Sequence, residues 1–183
     1  AAQDGLGERE SASVGSPPFY YGVVGSPDSK RIAYTDKRLN LWTMDLESRA
    51  TVLVDPDTYD HPPRSIEPVW SPDSRWIAYS RRLDNHLRAV FVYDVDAGRT
   101  HQITDGMSDA VSPTFSRDGK LLYFTASTNV ALRTGWRDMS SYERPQRRAL
   151  YVVVLAADEP SPPLPPSGDG AVEDDVDAEE SEA

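Results

Sequence analysis

Gly106-Met107-Ser108-Asp109-Ala110 is the segment of this chain that comes nearest to a nucleophile motif. A nucleophilic serine on such an elbow needs Gly-x-Ser-x-Gly on a sharp strand-to-helix turn. The final glycine is absent here, and the surrounding residues read as a loop between two strands. The three histidines, His61, His86 and His101, share no metal-ligand spacing, and there is no cysteine to complete a zinc set. His101 falls on an outer strand and reads as a surface residue. Asp55 and Asp57, and Asp94 and Asp96, could be paired acids. Each pair sits at a strand end before a turn, where aspartate is favoured for bonding nearby backbone. No phosphate loop and no dinucleotide fingerprint occurs. The sequence therefore assigns no catalytic residue, no metal ligand and no cofactor.

The elements that would have to position any chemistry come from a repeat. Ser26-Pro-Asp-Ser29, Ser71-Pro-Asp-Ser74 and Ser116-Arg-Asp-Gly119 recur at a spacing of 45 residues. The text after each turn also aligns: Ile32-Ala-Tyr34, Ile77-Ala-Tyr79 and Leu122-Tyr-Phe124. Further on, Leu41-Trp-Thr-Met-Asp45 matches Val90-Phe-Val-Tyr-Asp94 and Leu150-Tyr-Val-Val-Val154. A period of this length with several short strands is the signature of propeller blades. Four strands are expected per repeat, the first ending just before the Ser-Pro-Asp turn. Asp118-Gly119 is a strong hairpin signal and Asp-Ser in the other two copies a weaker one. The strands are apolar almost continuously, as in Trp76-Ile-Ala-Tyr79. Burial on both faces produces that pattern, and stacked blades bury both faces. A β-sandwich would need no such self-similarity.

The expected fold is thus all-β, a propeller fragment of about three four-stranded blades with disordered termini. Residues 1–18 read as a flexible lead-in or the remnant of a preceding blade. Blade 1 is expected over 19–65, blade 2 over 66–110 and blade 3 over 111–155. Residues 156–183, opening with Pro160-Ser-Pro-Pro-Leu-Pro-Pro166, read as a Pro-rich acidic linker or tail. Three blades cannot close a ring of the usual four to eight. The chain is therefore expected to belong to something larger, or to be completed by another chain.

The net charge of −11 belongs to that tail. Residues 156–183 hold 10 of the 30 acidic residues and none of the 19 basic ones. A repeat region near neutrality lacks the clustered basic face that a nucleic-acid partner needs. Arg144, Arg147 and Arg148 form a small cluster that reads as a solvated loop. No apolar run approaches the roughly 20 residues of a membrane span. No secretory signal is visible. The chain opens on Ala1, which fits either a mature start after cleavage or a cut from a longer chain.

The repeats also diverge. Gly25 stands where the other copies place Trp70 and Phe115, so the first blade should be the weakest. The third repeat carries a long insertion over 126–148, with Trp136, Met139 and Tyr142 in it. Loops of this length inside a compact repeat are uncommon and often functional. Trp136, Met139 and Tyr142 are the candidate docking or gating residues.

Trp70-Ser-Pro-Asp-Ser74 with Ile77-Ala-Tyr-Ser80, and Thr104-Asp-Gly106, resemble the WD40-like PD40 repeats of TolB and of tricorn-type proteases. Gln102-Ile-Thr-Asp-Gly-Met-Ser-Asp-Ala110, Tyr123-Phe-Thr-Ala-Ser-Thr-Asn-Val130 and Gly135-Trp-Arg-Asp-Met-Ser-Ser-Tyr142 narrow the match. With the Pro-rich exit they look like bacterial tricorn-like serine peptidases of the S41 class, over roughly residues 20–166. The resemblance implies two propellers followed by a PDZ domain and a catalytic core beyond this stretch. No residue here matches the family's catalytic serine, histidine or glutamate. It implies a non-catalytic role in guiding or gating peptide substrates. The implied partners are the remaining blades and protease domains, and peptides; self-association through open blade edges is a further expectation. A cytoplasmic location follows by resemblance, with a periplasmic or secreted one also open. The competing readings are a TolB-like protein-binding propeller without activity and the propeller of a prolyl-oligopeptidase-type enzyme.

Overall fold

The computed structural model describes residues 20–56, 66–130 and 145–156, together with Pro160 and Pro162. Among the described residues there are eleven strands and no α-helix. The first sheet runs β1 (Tyr20–Gly25), β2 (Arg31–Asp36), β3 (Asn40–Asp45) and β4 (Thr51–Pro56). The second runs β5 (Val69–Trp70), β6 (Trp76–Arg82), β7 (Arg88–Asp94) and β8 (Arg99–Gln102). The third runs β9 (Asp109–Phe115), β10 (Leu121–Ser127) and β11 (Ala149–Val154). Each sheet is an antiparallel meander in chain order. The third has three strands among the described residues, where the repeat predicts four.

The register repeats with the sequence. Ile32 pairs Met44, Ile77 pairs Tyr93 and Leu122 pairs Val153. These are equivalent positions, so the 45-residue period is a structural period.

The turns show why the repeat is written in Ser and Asp. Ser26, Ser71 and Ser116 each donate Oγ–H to Oδ1 of the aspartate two residues on, at 2.6, 2.5 and 2.5 Å. The same hydroxyls accept the N–H of Arg31, Trp76 and Leu121 at 2.9, 2.8 and 2.9 Å. The aspartate Oδ1 also accepts the N–H of Lys30, Arg75 or Lys120. The fourth residue has positive φ in every copy: 59° at Ser29, 61° at Ser74 and 75° at Gly119. Asp-Ser therefore closes the turn as Asp-Gly does. The side-chain network holds serine in a conformation that glycine reaches without strain. Ser71→Ala is expected to cost about 1 kcal/mol, because it strips a buried turn of a donor and an acceptor. Urea unfolding measures it, and an unchanged midpoint would show that the network is incidental.

The sheets stack face to face, as propeller blades do. Ile77 and Tyr79 of β6, with Ala89, Phe91 and Tyr93 of β7, pack with Ala33 and Leu41 of the first sheet. Ala78, Val90 and Val92 point the other way and pack with Phe115, Leu122 and Phe124 of the third. Both faces of β6 and β7 are thus buried, which is the cause of their unbroken apolar text. The third sheet ends the stack: Leu150 is 71% exposed where its repeat equivalent Val90 is 0% exposed. Gly25 lies exposed, with open space where a Cβ would stand.

Candidate functional site

The insertion of the third repeat leaves β10 at the end of the sheet opposite the Ser-Pro-Asp turns. Trp136, Met139 and Tyr142 lie outside the described residues. The two ends of the insertion are described, and they form a stem. Asn129 donates Nδ2–H to the Pro145 carbonyl at 3.1 Å and accepts Arg147 N–H on Oδ1 at 3.1 Å. Ser127 Oγ–H donates to the same Oδ1 at 2.8 Å. One amide side chain therefore ties the outgoing strand to the returning one.

A buried carboxylate fixes this stem to the second sheet. Asp109, at the start of β9, is 3% exposed. Its Oδ1 accepts Arg88 N–H at 3.0 Å and Arg88 Nε–H at 2.9 Å, and its Oδ2 accepts Arg88 Nη2–H at 2.7 Å. Arg148, the last residue of the stem, donates Nη2–H to the same Oδ2 and Nη1–H to the Asp109 carbonyl. Burial alone would raise the Asp109 pKa. The hydrogen bonds and charges of the two arginines outweigh it and hold the carboxyl down at about 2. Arg148 is therefore an anchoring residue, not part of a solvated cluster as its neighbours in sequence suggest; the charge run hid its partner 39 residues away. The repeat carries a signal for it. Arg88-Ala-Val-Phe and Arg148-Ala-Leu-Tyr are equivalent text, and both arginines reach the one aspartate between them.

The first inter-sheet junction has a clamp of the same chemistry at the same end. Asp55 of β4 accepts Tyr79 Oη–H on Oδ2 at 2.6 Å and Arg81 Nη1–H on Oδ1 at 3.0 Å. Burial, then the bond to Asp55 and its charge, push the Tyr79 phenol well above its ordinary value. Asp55 thus serves the next sheet rather than the local turn its sequence position suggests. Asp94 does bond locally, accepting the N–H of Asp96 and Ala97 at 3.0 Å each, and also pairs with Arg75. Asp57 and His61 lie outside the described residues.

The remaining candidates are placed apart. Ser108 lies in the bend between β8 and β9, so the segment after it is a strand and not the helix of a nucleophile elbow. His86 sits at a turn with φ 64°. His101 is exposed on β8, its ring centroid 6.4 Å from that of Trp76. Among the described residues no group of three acidic or imidazole side chains is arranged to hold a metal ion. No described helix is long and apolar enough to cross a membrane.

At the turn end, between the second and third sheets, a crevice of about 520 Å³ opens, with Trp76, Phe115, Gly119 and Ala156 among its walls.

No family model matches the chain. It is 29% identical over 108 residues to a tricorn protease homolog of Saccharolobus solfataricus, covering 59% of this chain and 10% of that protein. The chain thus spans about a tenth of the length of this curated relative. A crystal structure of the tricorn protease superposes on 78% of this chain and 14% of its own, with TM-score 0.59 and 21% identity. TolB from Acinetobacter baumannii matches 76% of this chain and 31% of its own, with TM-score 0.50 and 17% identity. At these identities the solved structures speak for the fold, and that fold is a β-propeller.

Proposed function

We propose that this tricorn-like propeller region, with its TolB-like repeats, is the non-catalytic part of a larger serine peptidase and guides or gates peptide substrates. The observation that carries the reading is the anchored stem. Asn129 ties the two ends of the insertion together, and Asp109 holds Arg148 at its returning end to Arg88 of the second sheet. A loop that is only decoration needs no buried double ion pair at its base. A loop that must present side chains to a passing peptide needs a rigid one. Similarity to a protein named as a tricorn protease homolog supplies the reaction class.

The test uses the full gene product and a variant in which residues 131–144 are replaced by a short Gly-Ser turn. The stem residues Asn129, Arg147 and Arg148 are retained. Hydrolysis of a long unstructured peptide relative to a tripeptide is expected to change by about tenfold or more. Both activities should yield to a serine-directed reagent. An unchanged ratio sinks the gating role. A gene product that hydrolyses neither peptide but captures a folded protein favours the TolB-like binding reading instead.

A further inference from the structure

The turn end of the first junction is interlocked by three polar contacts. Asp28 N–H donates to Ser74 Oγ at 3.0 Å. Trp70 Nε1–H donates to the Val24 carbonyl at 3.1 Å. Arg31 and Asp96 form an ion pair at 3.5 Å. Each contact joins a residue of the first repeat to one of the second.

Moving along one repeat gives the residues that should make these contacts at the second junction. The register fixes the equivalences: Ile32, Ile77 and Leu122 align, as do Leu46, Val95 and Leu155, whose N–H groups bond Lys30, Arg75 and Lys120 carbonyls. Ser74 becomes Gly119, which has no hydroxyl. Trp70 becomes Phe115, which has no side-chain N–H. Arg31 becomes Trp76 and Asp96 becomes Ala156, so the ion pair becomes an aromatic ring facing a methyl group. All three interlocks are chemically deleted. The four substituted residues, Gly119, Phe115, Trp76 and Ala156, all line the crevice. Its volume of about 520 Å³ falls within the range of small-ligand clefts. Asp73, the equivalent of Asp28, lines the crevice on an exposed turn, where Gly119 offers its N–H no hydroxyl of the kind that Ser74 offers Asp28.

We infer that this crevice is a binding site for a large apolar side chain of an extended peptide, whose backbone carbonyl accepts the Asp73 N–H. The apolar walls match the side chain, and the exposed Asp73 N–H is available to an oxygen acceptor where serine supplies one in the sister junction. A peptide offers both groups a few ångströms apart. That the ligand is a peptide, rather than another molecule with the same two groups, rests on the peptide-handling role proposed above.

The sister junction also supplies the closing variant. Trp76→Arg, Gly119→Ser and Ala156→Asp together write three of the first junction's four differing residues into the second. Serine is compatible at position 119, since Ser29 and Ser74 hold the same positive φ. A Cβ there meets Pro72 Cδ at 3.7 Å, an ordinary contact. The folded chain is titrated with two labelled capped tetrapeptides, one bearing a single Phe and one with Gly in its place. Binding is followed at the Trp76 indole N–H resonance for the wild type and by anisotropy for both proteins. The expected result is saturable binding of the Phe peptide on the order of 1 mM or tighter. The Gly peptide, and the closed variant with the Phe peptide, should each be weaker by about tenfold. Gly119→Ser alone, which restores only the hydroxyl partner of Asp73, should weaken binding and leave the melting temperature unchanged or raised. No saturable binding overturns the site. Binding that survives the closed variant, or that does not distinguish Phe from Gly, also overturns it. Peptide binding that is lost in the closed variant while the loop replacement leaves hydrolysis ratios unchanged would uphold the crevice and sink the gating reading alone.

Discussion

Asp109→Ala is expected to lower the stability of the folded chain by about 3 kcal/mol or more, since removing one partner of a buried ion pair strands the other charge. Two charges are stranded here. Arg88 and Arg148 are 24% and 25% exposed in their side chains, and both converge on Asp109. Without the carboxylate the two guanidinium groups face each other with no counter-charge between them. The loss also releases Arg148, and with it one leg of the insertion stem. Urea denaturation gives the measurement, with an unchanged slope showing that the denatured state is unaltered. Asp109→Asn keeps the volume and one acceptor, so it should fall between wild type and alanine. A loss below about 1 kcal/mol for alanine would place the pair among ordinary surface ion pairs and remove the argument for an anchored loop.

The pH dependence has a definite sign. Asp109 has a folded-state pKa of about 2, below the ordinary aspartate value near 3.9. A depressed carboxylate contributes its stability above the unfolded pKa and loses it as pH falls through the folded one. The wild type should therefore lose stability between about pH 4 and pH 2. In Asp109→Ala that component is absent, and the two acid-unfolding curves should converge as pH falls. Curves that stay parallel would assign the acid loss to other carboxylates.

What was legible in the sequence is what the period repeats. The turns with serine two residues before aspartate, the register at Ile32, Ile77 and Leu122, and burial on both faces of β6 are each written three times or in one continuous run. Contacts between repeats are less legible, because each joins residues whose spacing has no local pattern. Asp55 reads as a turn residue, yet its partners Tyr79 and Arg81 stand 24 and 26 residues away. Arg148 reads as one of three surface arginines, and only the parallel with Arg88 points inward. The crevice is legible in retrospect by a different route. Four single departures from the repeat, each minor alone, fall on one surface once the register is known. Trp136, Met139 and Tyr142, the residues on which the sequence placed most functional weight, lie outside the described residues.

Tyr79→Ala is expected to cost about 4 kcal/mol, in the range for deleting a fully buried aromatic ring. Tyr79 is 0% exposed and stacks on Phe91 with ring centroids 5.7 Å apart and planes 16° from parallel. The packing and hydrogen-bond parts separate with Tyr79→Phe. That change keeps the ring and removes the hydroxyl that donates to the buried Asp55 carboxylate. Hydrogen bonds to charged groups set its cost at about 2 kcal/mol. The sign with pH runs opposite to that at Asp109. A phenol pushed up by burial and by Asp55 contributes stability that is present below its unfolded pKa, near 10, and lost as pH rises beyond it. Wild type and Tyr79→Phe should therefore draw together in alkali. If Tyr79→Phe costs nothing at neutral pH, the Tyr79–Asp55 bond is incidental, and the first junction is held by packing rather than by its clamp. A full cost makes the two junctions alike at the far end, each locked by a buried carboxylate. At the turn end they differ, because the three polar interlocks of the first junction have no counterparts in the residues of the second.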